Sequence, residues 1–395
     1  MRPAKSAGIT LTLCAAAALL EGFDNQSMGV AAPRLLPEFG LSASQAGLLF
    51  SAATLGLFVG AAIGGRAADY LGRKRTLIVS LVLFGICSLL TALAPGTGAL
   101  WVARLLTGLG LGGAMPNFIA LAAEAVRPER RLSVVSVVLA SLPLGGALAG
   151  LMALGDQLGW GWRSIFVVGG IAPIIVAGIM LRALPEPGGP SRTAPRVEGV
   201  LRVLFGDGRA STTLLLWTGF FFTQLVLLLM LNWLPSLIIG LGFSRAQASV
   251  ASICFNLSGS VGAGFLGPLH AGHRRRQWVL LTYGGMAAAL IAVALLGKAF
   301  SLAVLACALA GIFIIGAQLI LFALAPLYYH RVSRGTGVGA AVAMGRLGSV
   351  VGPVFAATLL AGGGGSTTVL LGIVPFVVIG GSAALGLTWR TQCRD

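Results

Sequence analysis

The sequence predicts an all-α integral membrane protein of twelve transmembrane helices, arranged as two pseudo-symmetric six-helix bundles. Three observations carry this. Of 395 residues, 57% are hydrophobic and only 10% charged, whereas a soluble domain carries about a quarter charged residues. Apolar stretches of roughly 20 residues, each long enough to cross a hydrocarbon core of about 30 Å, recur along the chain. Features of the first half also return in the second at nearly constant offset. Arg73-Lys74-Arg75 answers Arg274-Arg275-Arg276, 201 residues on, and Pro143-Leu144-Gly145-Gly146 answers Arg346-Leu347-Gly348-Ser349, 203 residues on.

The spans fall at 9–32, 45–68, 77–94, 100–123, 132–154, 164–184, 211–235, 247–269, 278–297, 301–327, 336–361 and 368–388. The first imitates a signal peptide, with Arg2 and Lys5 before an apolar run. That run continues past Asp24, and no small-residue cleavage site follows a short core, so it reads as a retained helix. Six spans lie on each side of a basic, Pro- and Gly-containing stretch. The expected organisation is therefore bundle 1–184, cytoplasmic linker 185–210 and bundle 211–395. Neither the linker nor any loop has room for an enzymatic or sensory output domain.

The formal charge of +16 would suit a nucleic-acid partner if it were gathered on one face. It is instead sorted by side. Segments on the N-terminal side of the spans hold 21 of the 27 basic residues, and the opposite side holds four, Arg34, Arg163, Arg245 and Lys298. By the positive-inside rule both termini are cytoplasmic, in a bacterial-type inner membrane, with lipid as a partner and nucleic acid excluded. Five scattered cysteines give no disulfide or metal-site spacing, and no metal or cofactor is expected.

The remaining two basic residues, Arg104 and Arg346, lie inside spans, as do only two acidic ones, Glu21 and Asp24. A charge at mid-membrane costs at least about 2.5–3.5 kcal/mol on insertion scales, so such residues face the interior and mark pathways. Glu21 and Asp24 share one helix face. Asp24 and Arg104 lie at similar depth, and a pair between them is possible. Arg346 is some ten residues into its span, about 15 Å from the end at 1.5 Å per residue, too deep to snorkel easily. Its fork suits a carboxylate, which gives a substrate anion or an internal Glu21 or Asp24 as its partner. Asp24, Glu21 and Arg104 are therefore candidates for a proton-carrying set. Around Arg346, the neutral polar residues Asn117, Gln224, Asn232 and Gln318, with Trp233, are candidates for a substrate site. Helix-to-helix hydrogen bonding is the plainer reading of each amide.

Between spans 2 and 3 the chain reads Gly65-Arg66-Ala67-Ala68-Asp69-Tyr70-Leu71-Gly72-Arg73-Lys74-Arg75. A Gly, an Asp four residues on and then Gly-Arg-Lys-Arg resemble the loop signature of the major facilitator superfamily. Tyr70 departs from its usual basic residue, and His270 stands where a second copy would place Asp69. The resemblance implies a gating role for Asp69, Gly65, Gly72, Arg73 and Arg75. Arg104 with Gly108 and Gly112 is similar to the superfamily's fourth span. Glu21-Gly22-Phe23-Asp24, Asn232-Trp233-Leu234-Pro235 and Gly337 to Gly348 resemble the aromatic acid:proton symporters within it, with Glu21 in place of the commoner Asp. That resemblance implies inward, proton-coupled transport of a small aromatic carboxylate, of the hydroxyphenylpropionate or hydroxybenzoate kind, by alternating access in a monomer that is not an enzyme. The alternative on the same fold is proton-coupled efflux of a drug or metabolite. The Gly-Pro pair usual in span 5 of such exporters is absent, since Ser141-Leu142-Pro143-Leu144-Gly145 stands there.

Overall fold

The computed structural model describes residues 4–155, 159–184, 200–206, 208–269, 274–296, 299–330 and 334–390. Fourteen α-helices occupy nearly all of them: α1 Ala4–Glu38, α2 Ala43–Leu71, α3 Arg73–Ala92, α4 Thr97–Glu124, α5 Arg131–Leu154, α6 Arg163–Ala183, α7 Val200–Phe205, α8 Ala210–Gly240, α9 Arg245–Leu269, α10 Arg275–Leu296, α11 Phe300–Leu324, α12 Arg334–Ala361, α13 Ser366–Gly372 and α14 Val374–Leu387. In a bilayer every backbone N–H and C=O must be satisfied within the segment, which leaves the helix as the local solution for apolar runs of this length.

Among the described residues, eleven helical segments are long and apolar enough to cross a membrane. The remaining expected span, 247–269, falls on α9. The last span is broken at Ile373, where α13 ends and α14 begins with Pro375 in its first turn. The stretch 185–199 of the expected linker lies outside the described residues. So does His270.

The chain forms two compact units, Met1–Ser191 with Ser244–Ile253, and Arg192–Phe243 with Cys254–Asp395. Each is held by close helix pairs built on small residues. In the first unit α2 packs on α4, α1 on α5 and α3 on α4 and α6. Gly56 and Gly60 lie against the backbones of Leu105 and Leu109, and Gly108 and Gly112 against those of Ala53 and Leu57, so closely that a Cβ at any of the four would overlap a carbonyl oxygen. The glycine rows of spans 2 and 4 therefore face each other, the small-residue mode of helix association in lipid.

The second unit repeats the scheme. α8 packs on α12 as α1 does on α5, with Gly348 and Gly352 pressed on the Phe221 and Leu225 carbonyls. Gly262 and Gly311 bring α9 against α11 as the glycines bring α2 against α4. The starts of α2 and α9, both within the first unit, also correspond. Ser42 and Gln45 cap α2 reciprocally, Gln45 N–H to Ser42 Oγ at 3.3 Å and Ser42 N–H to Gln45 Oε1 at 2.9 Å. Ser244 and Gln247 do the same for α9, at 3.2 and 2.9 Å. This capping box is a third element of the repeat.

The contacts separate packing glycines from others. Gly60→Val forces side-chain atoms into the Leu109 backbone, and overpacking of this kind costs about 1–3 kcal/mol or more. We expect Gly60→Val to lower the melting temperature of the purified protein and its yield in membranes. A Cβ at Gly65, in the loop signature, would meet nothing within 4 Å. Gly65→Ala should melt at the wild-type temperature. A Gly60→Val protein as stable as wild type would disprove the close α2–α4 packing.

Candidate functional site

The chemistry of the first unit centres on one buried ion pair. α1 carries Glu21 and Asp24, both only 2% exposed, through the middle of a 35-residue helix. α1 can run so close to its neighbours because Gly22 meets the Leu142 backbone on α5 and Gly145 of α5 meets Leu19. From α4, Arg104 reaches Asp24 with both terminal nitrogens, Nη1 to Oδ1 at 2.8 Å and Nη2 to Oδ2 at 3.0 Å. Arg104 is itself 2% exposed. The sequence leaves this as a possible pair at similar depth, and the structure closes it in bidentate form, the geometry that a guanidinium fork favours.

Rings on α6 line the other face of this pair. The Arg104 guanidinium lies 5.6 Å from the Phe166 ring centroid, and Trp162 meets Phe166 edge-on at 5.8 Å. A guanidinium over an aromatic face is stabilised where water is absent. Sequence reasoning does not single out Phe166 or Trp162. A single Phe in an apolar span carries no signal of its own.

The other predicted residues are distributed as follows. Asn117 on α4 is buried and donates Nδ2 to Gly113 O of its own helix at 2.8 Å. On α8, Asn232 likewise donates to Leu228 O at 2.8 Å, and Trp233 Nε1 donates to Pro353 O of α12 at 3.0 Å, bracing the two helices. Gln224 is different. It is buried, its Oε1 accepts no hydrogen bond, and its side chain lies beside Gly345 of α12, next in sequence to the half-buried Arg346. A buried amide oxygen without a donor costs stability. Gln318, on α11, is half-buried. The structure thus joins Asp24 to Arg104, with Glu21 one turn earlier on α1, and sets Gln224 beside Gly345, the residue before Arg346.

In the loop signature Gly72 takes a positive φ of 84° between α2 and α3, a conformation natural to glycine. Asp69 is exposed, and Tyr70 is 85% exposed. The ion pair formed here is between Arg73 and Glu124 at the end of α4, a partner that the loop signature does not announce. Lys74 Nζ donates to Leu181 O at 3.1 Å and Leu184 O at 2.6 Å, capping the end of α6. Arg75 is exposed at the start of α3. The four described cysteines with free thiols are dispersed, and no metal-ligating cluster occurs among the described residues.

Apolar helices assembled in two like units, with a desolvated acid–base pair inside one, have the architecture of a polytopic membrane transporter. The family profile of the Major Facilitator Superfamily matches residues 14–353, and the chain belongs to that superfamily. It is 42% identical to the 3-(3-hydroxy-phenyl)propionate transporter of Escherichia coli, over 98% of this chain and 96% of that one. It is 31% identical to the gallate transporter of Pseudomonas putida, over 89% and 85%, and 31% identical to a 4-hydroxybenzoate transporter of Pseudomonas aeruginosa, over 94% and 90%. The crystal structure of a D-xylose-proton symporter superposes with a TM-score of 0.78, covering 96% of both chains at 19% identity, which shows the shared fold.

The buried pair gives a direct test. Removing one partner of a buried ion pair leaves an uncompensated charge and costs about 3–5 kcal/mol. We expect Arg104→Gln to lower thermal stability more than the double variant Asp24→Asn with Arg104→Gln, in which no charge remains. Equal melting temperatures for the two would show that the pair does not form.

Proposed function

We propose that the protein takes up a small aromatic carboxylate together with a proton, by alternating access across a bacterial inner membrane, with both termini in the cytoplasm. The observation that carries this reading is the bidentate Asp24–Arg104 pair. An acid in a dry site can give up its salt-bridge partner only if something else neutralises it, and a proton is the smallest species that can. Protonation of Asp24 releases Arg104, and return of Arg104 expels the proton. Glu21, one turn away on the same face, tunes the exchange, because two carboxylates this close repel when both are ionised. The chain's similarity to transporters of hydroxyphenylpropionate, gallate and hydroxybenzoate supports an aromatic acid as the substrate.

In this reading Arg346 binds the substrate carboxylate through its planar fork. Gln224 Oε1 accepts a hydrogen bond from a ring hydroxyl. Trp233, Asn232, Asn117 and Gln318 shape or line the path. Asp69, Gly65, Gly72, Arg73 and Arg75 act at the gate, where Arg73 exchanges Glu124 for other partners as the transporter cycles. No cofactor is required, since the proton gradient supplies the driving force, and each chain works as a monomer.

Two variants separate the roles. Asp24→Asn mimics the protonated acid. In proteoliposomes it should lose accumulation of labelled 3-(3-hydroxyphenyl)propionate under an imposed pH gradient, by at least about tenfold, while counterflow of label against unlabelled acid persists. Glu21→Gln should shift the pH optimum and keep accumulation. Full accumulation by Asp24→Asn would remove it from the proton path.

Arg346→Ala should abolish both accumulation and counterflow in protein that still reaches the membrane. Arg346→Lys should recover little, because an ammonium cannot reproduce two parallel hydrogen bonds. Normal counterflow in the Ala variant would exclude Arg346 from the substrate site.

A further inference from the structure

Positive residues are scarce on the side opposite the N-terminus, where the sequence places only Arg34, Arg163, Arg245 and Lys298. Three of these four line a single pocket of about 560 Å³ in the first unit. It is formed by the end of α1, the start of α6 and the start of α9, whose residues Ser244–Ile253 belong to that unit. Its size is within the range of about 300–1,000 Å³ usual for small-molecule sites.

The lining is chemically specific. Glu38 is held by Arg163 Nη2 at 2.6 Å and by Trp162 Nε1 at 2.6 Å. The Arg163 guanidinium also lies 4.5 Å from the Trp162 ring centroid. Glu38 thus balances Arg163, and Arg34 and Arg245 bring two further guanidinium groups to the lining. α6 and α9 both begin here, at Arg163 and Arg245, and helix N-termini add positive potential. Trp160, 56% exposed, presents an indole in the same wall. Cationic groups and an open aromatic surface together suit an aromatic ring that bears a carboxylate.

The pocket also connects to the buried pair. Trp162, in its wall, touches Phe166, and Phe166 lies against Arg104, which holds Asp24. Along α1, Arg34 is ten residues beyond Asp24, about 15 Å at 1.5 Å per residue. We propose that this pocket is an external capture site for the aromatic carboxylate, occupied before the acid descends to the transport site. The proposal rests on the uptake reading above and on this face being external. The site concentrates the anion at the entrance by charge and ring stacking. It acts on apparent affinity and leaves the rate of the loaded cycle alone.

The test is initial-rate uptake of labelled 3-(3-hydroxyphenyl)propionate into proteoliposomes or cells. Arg245→Gln should raise KM about five- to tenfold with Vmax retained, from the loss of one unit charge near the anion. Arg245→Lys should restore KM, and Arg245→Glu should raise it beyond Gln. Added salt should raise KM in wild type more than in Arg245→Gln, since exposed charges are screened over about 8 Å at physiological ionic strength. Wild-type uptake with an unchanged KM in Arg245→Gln overturns the capture site and leaves the symport reading standing. If wild type transports no aromatic acid, the symport reading fails, and a binding measurement decides the pocket alone. In nanodiscs, 3-(3-hydroxyphenyl)propionate should quench tryptophan fluorescence saturably, with the quenched amplitude reduced in Trp160→Phe and the apparent affinity weakened in Arg245→Gln. Absence of a Trp160-dependent signal overturns the proposal.

Discussion

A charge inside a bilayer must be matched where it stands, and the architecture of the first unit follows from matching Arg104 to Asp24. The two side chains come from α4 and α1 and meet at 2.8 and 3.0 Å. They meet only if those helices lie at a fixed height and rotation. Gly22 and Gly145 set the height of α1 on α5, and Gly108 and Gly112 bring α4 against α2. Phe166 then closes the remaining side of the guanidinium from α6. Shifting any of these helices by one turn, about 5.4 Å, strands a charge in hydrocarbon. In the proposed cycle, this strictness is what a proton on Asp24 acts through, because it removes one half of the match.

The second unit is built by the same packing rules, and its polar groups are mostly satisfied locally, Asn232 by its own helix, Thr223 by Tyr283 at 2.8 Å and Trp233 by the Pro353 carbonyl. The oxygen of Gln224, beside Gly345, is unsatisfied, as are Trp217 Nε1 and Thr282 Oγ1. Phe220 lies against the same glycine and is edge-on to Phe322 at 5.4 Å. The first unit therefore holds the buried ion pair, and the second holds a polar acceptor and an aromatic edge at Gly345, the residue before Arg346.

Much of this was legible in the sequence because membrane solvent makes polarity expensive. Glu21, Asp24, Arg104 and Arg346 are conspicuous in apolar runs, and the glycine spacings of α2 and α4 mark helices that can pack closely without naming their neighbours. What was hidden depends on three-dimensional neighbours. Glu124 sits at the end of a span, where an acidic residue looks like ordinary solvated surface, so its pairing with Arg73 left no trace. Trp162 reads as one more interfacial aromatic, and its link through Phe166 to Arg104 needs the rotation of α6. The Ser42-Gln45 and Ser244-Gln247 caps have readable S-x-x-Q spacings in corresponding positions, but so short a pattern is a weak signal beside long apolar runs.

Those two caps bear on how the protein is made. A helix that enters a bilayer as it is synthesised meets lipid before its packing partners exist, so its starting point cannot be set by contacts that form later. Reciprocal bonds between a serine and a glutamine three residues on need nothing beyond one turn of nascent chain. α2 and α9 can therefore fix their first residue, and with it the depth of the side chains downstream, before their partners α4 and α11 have been made.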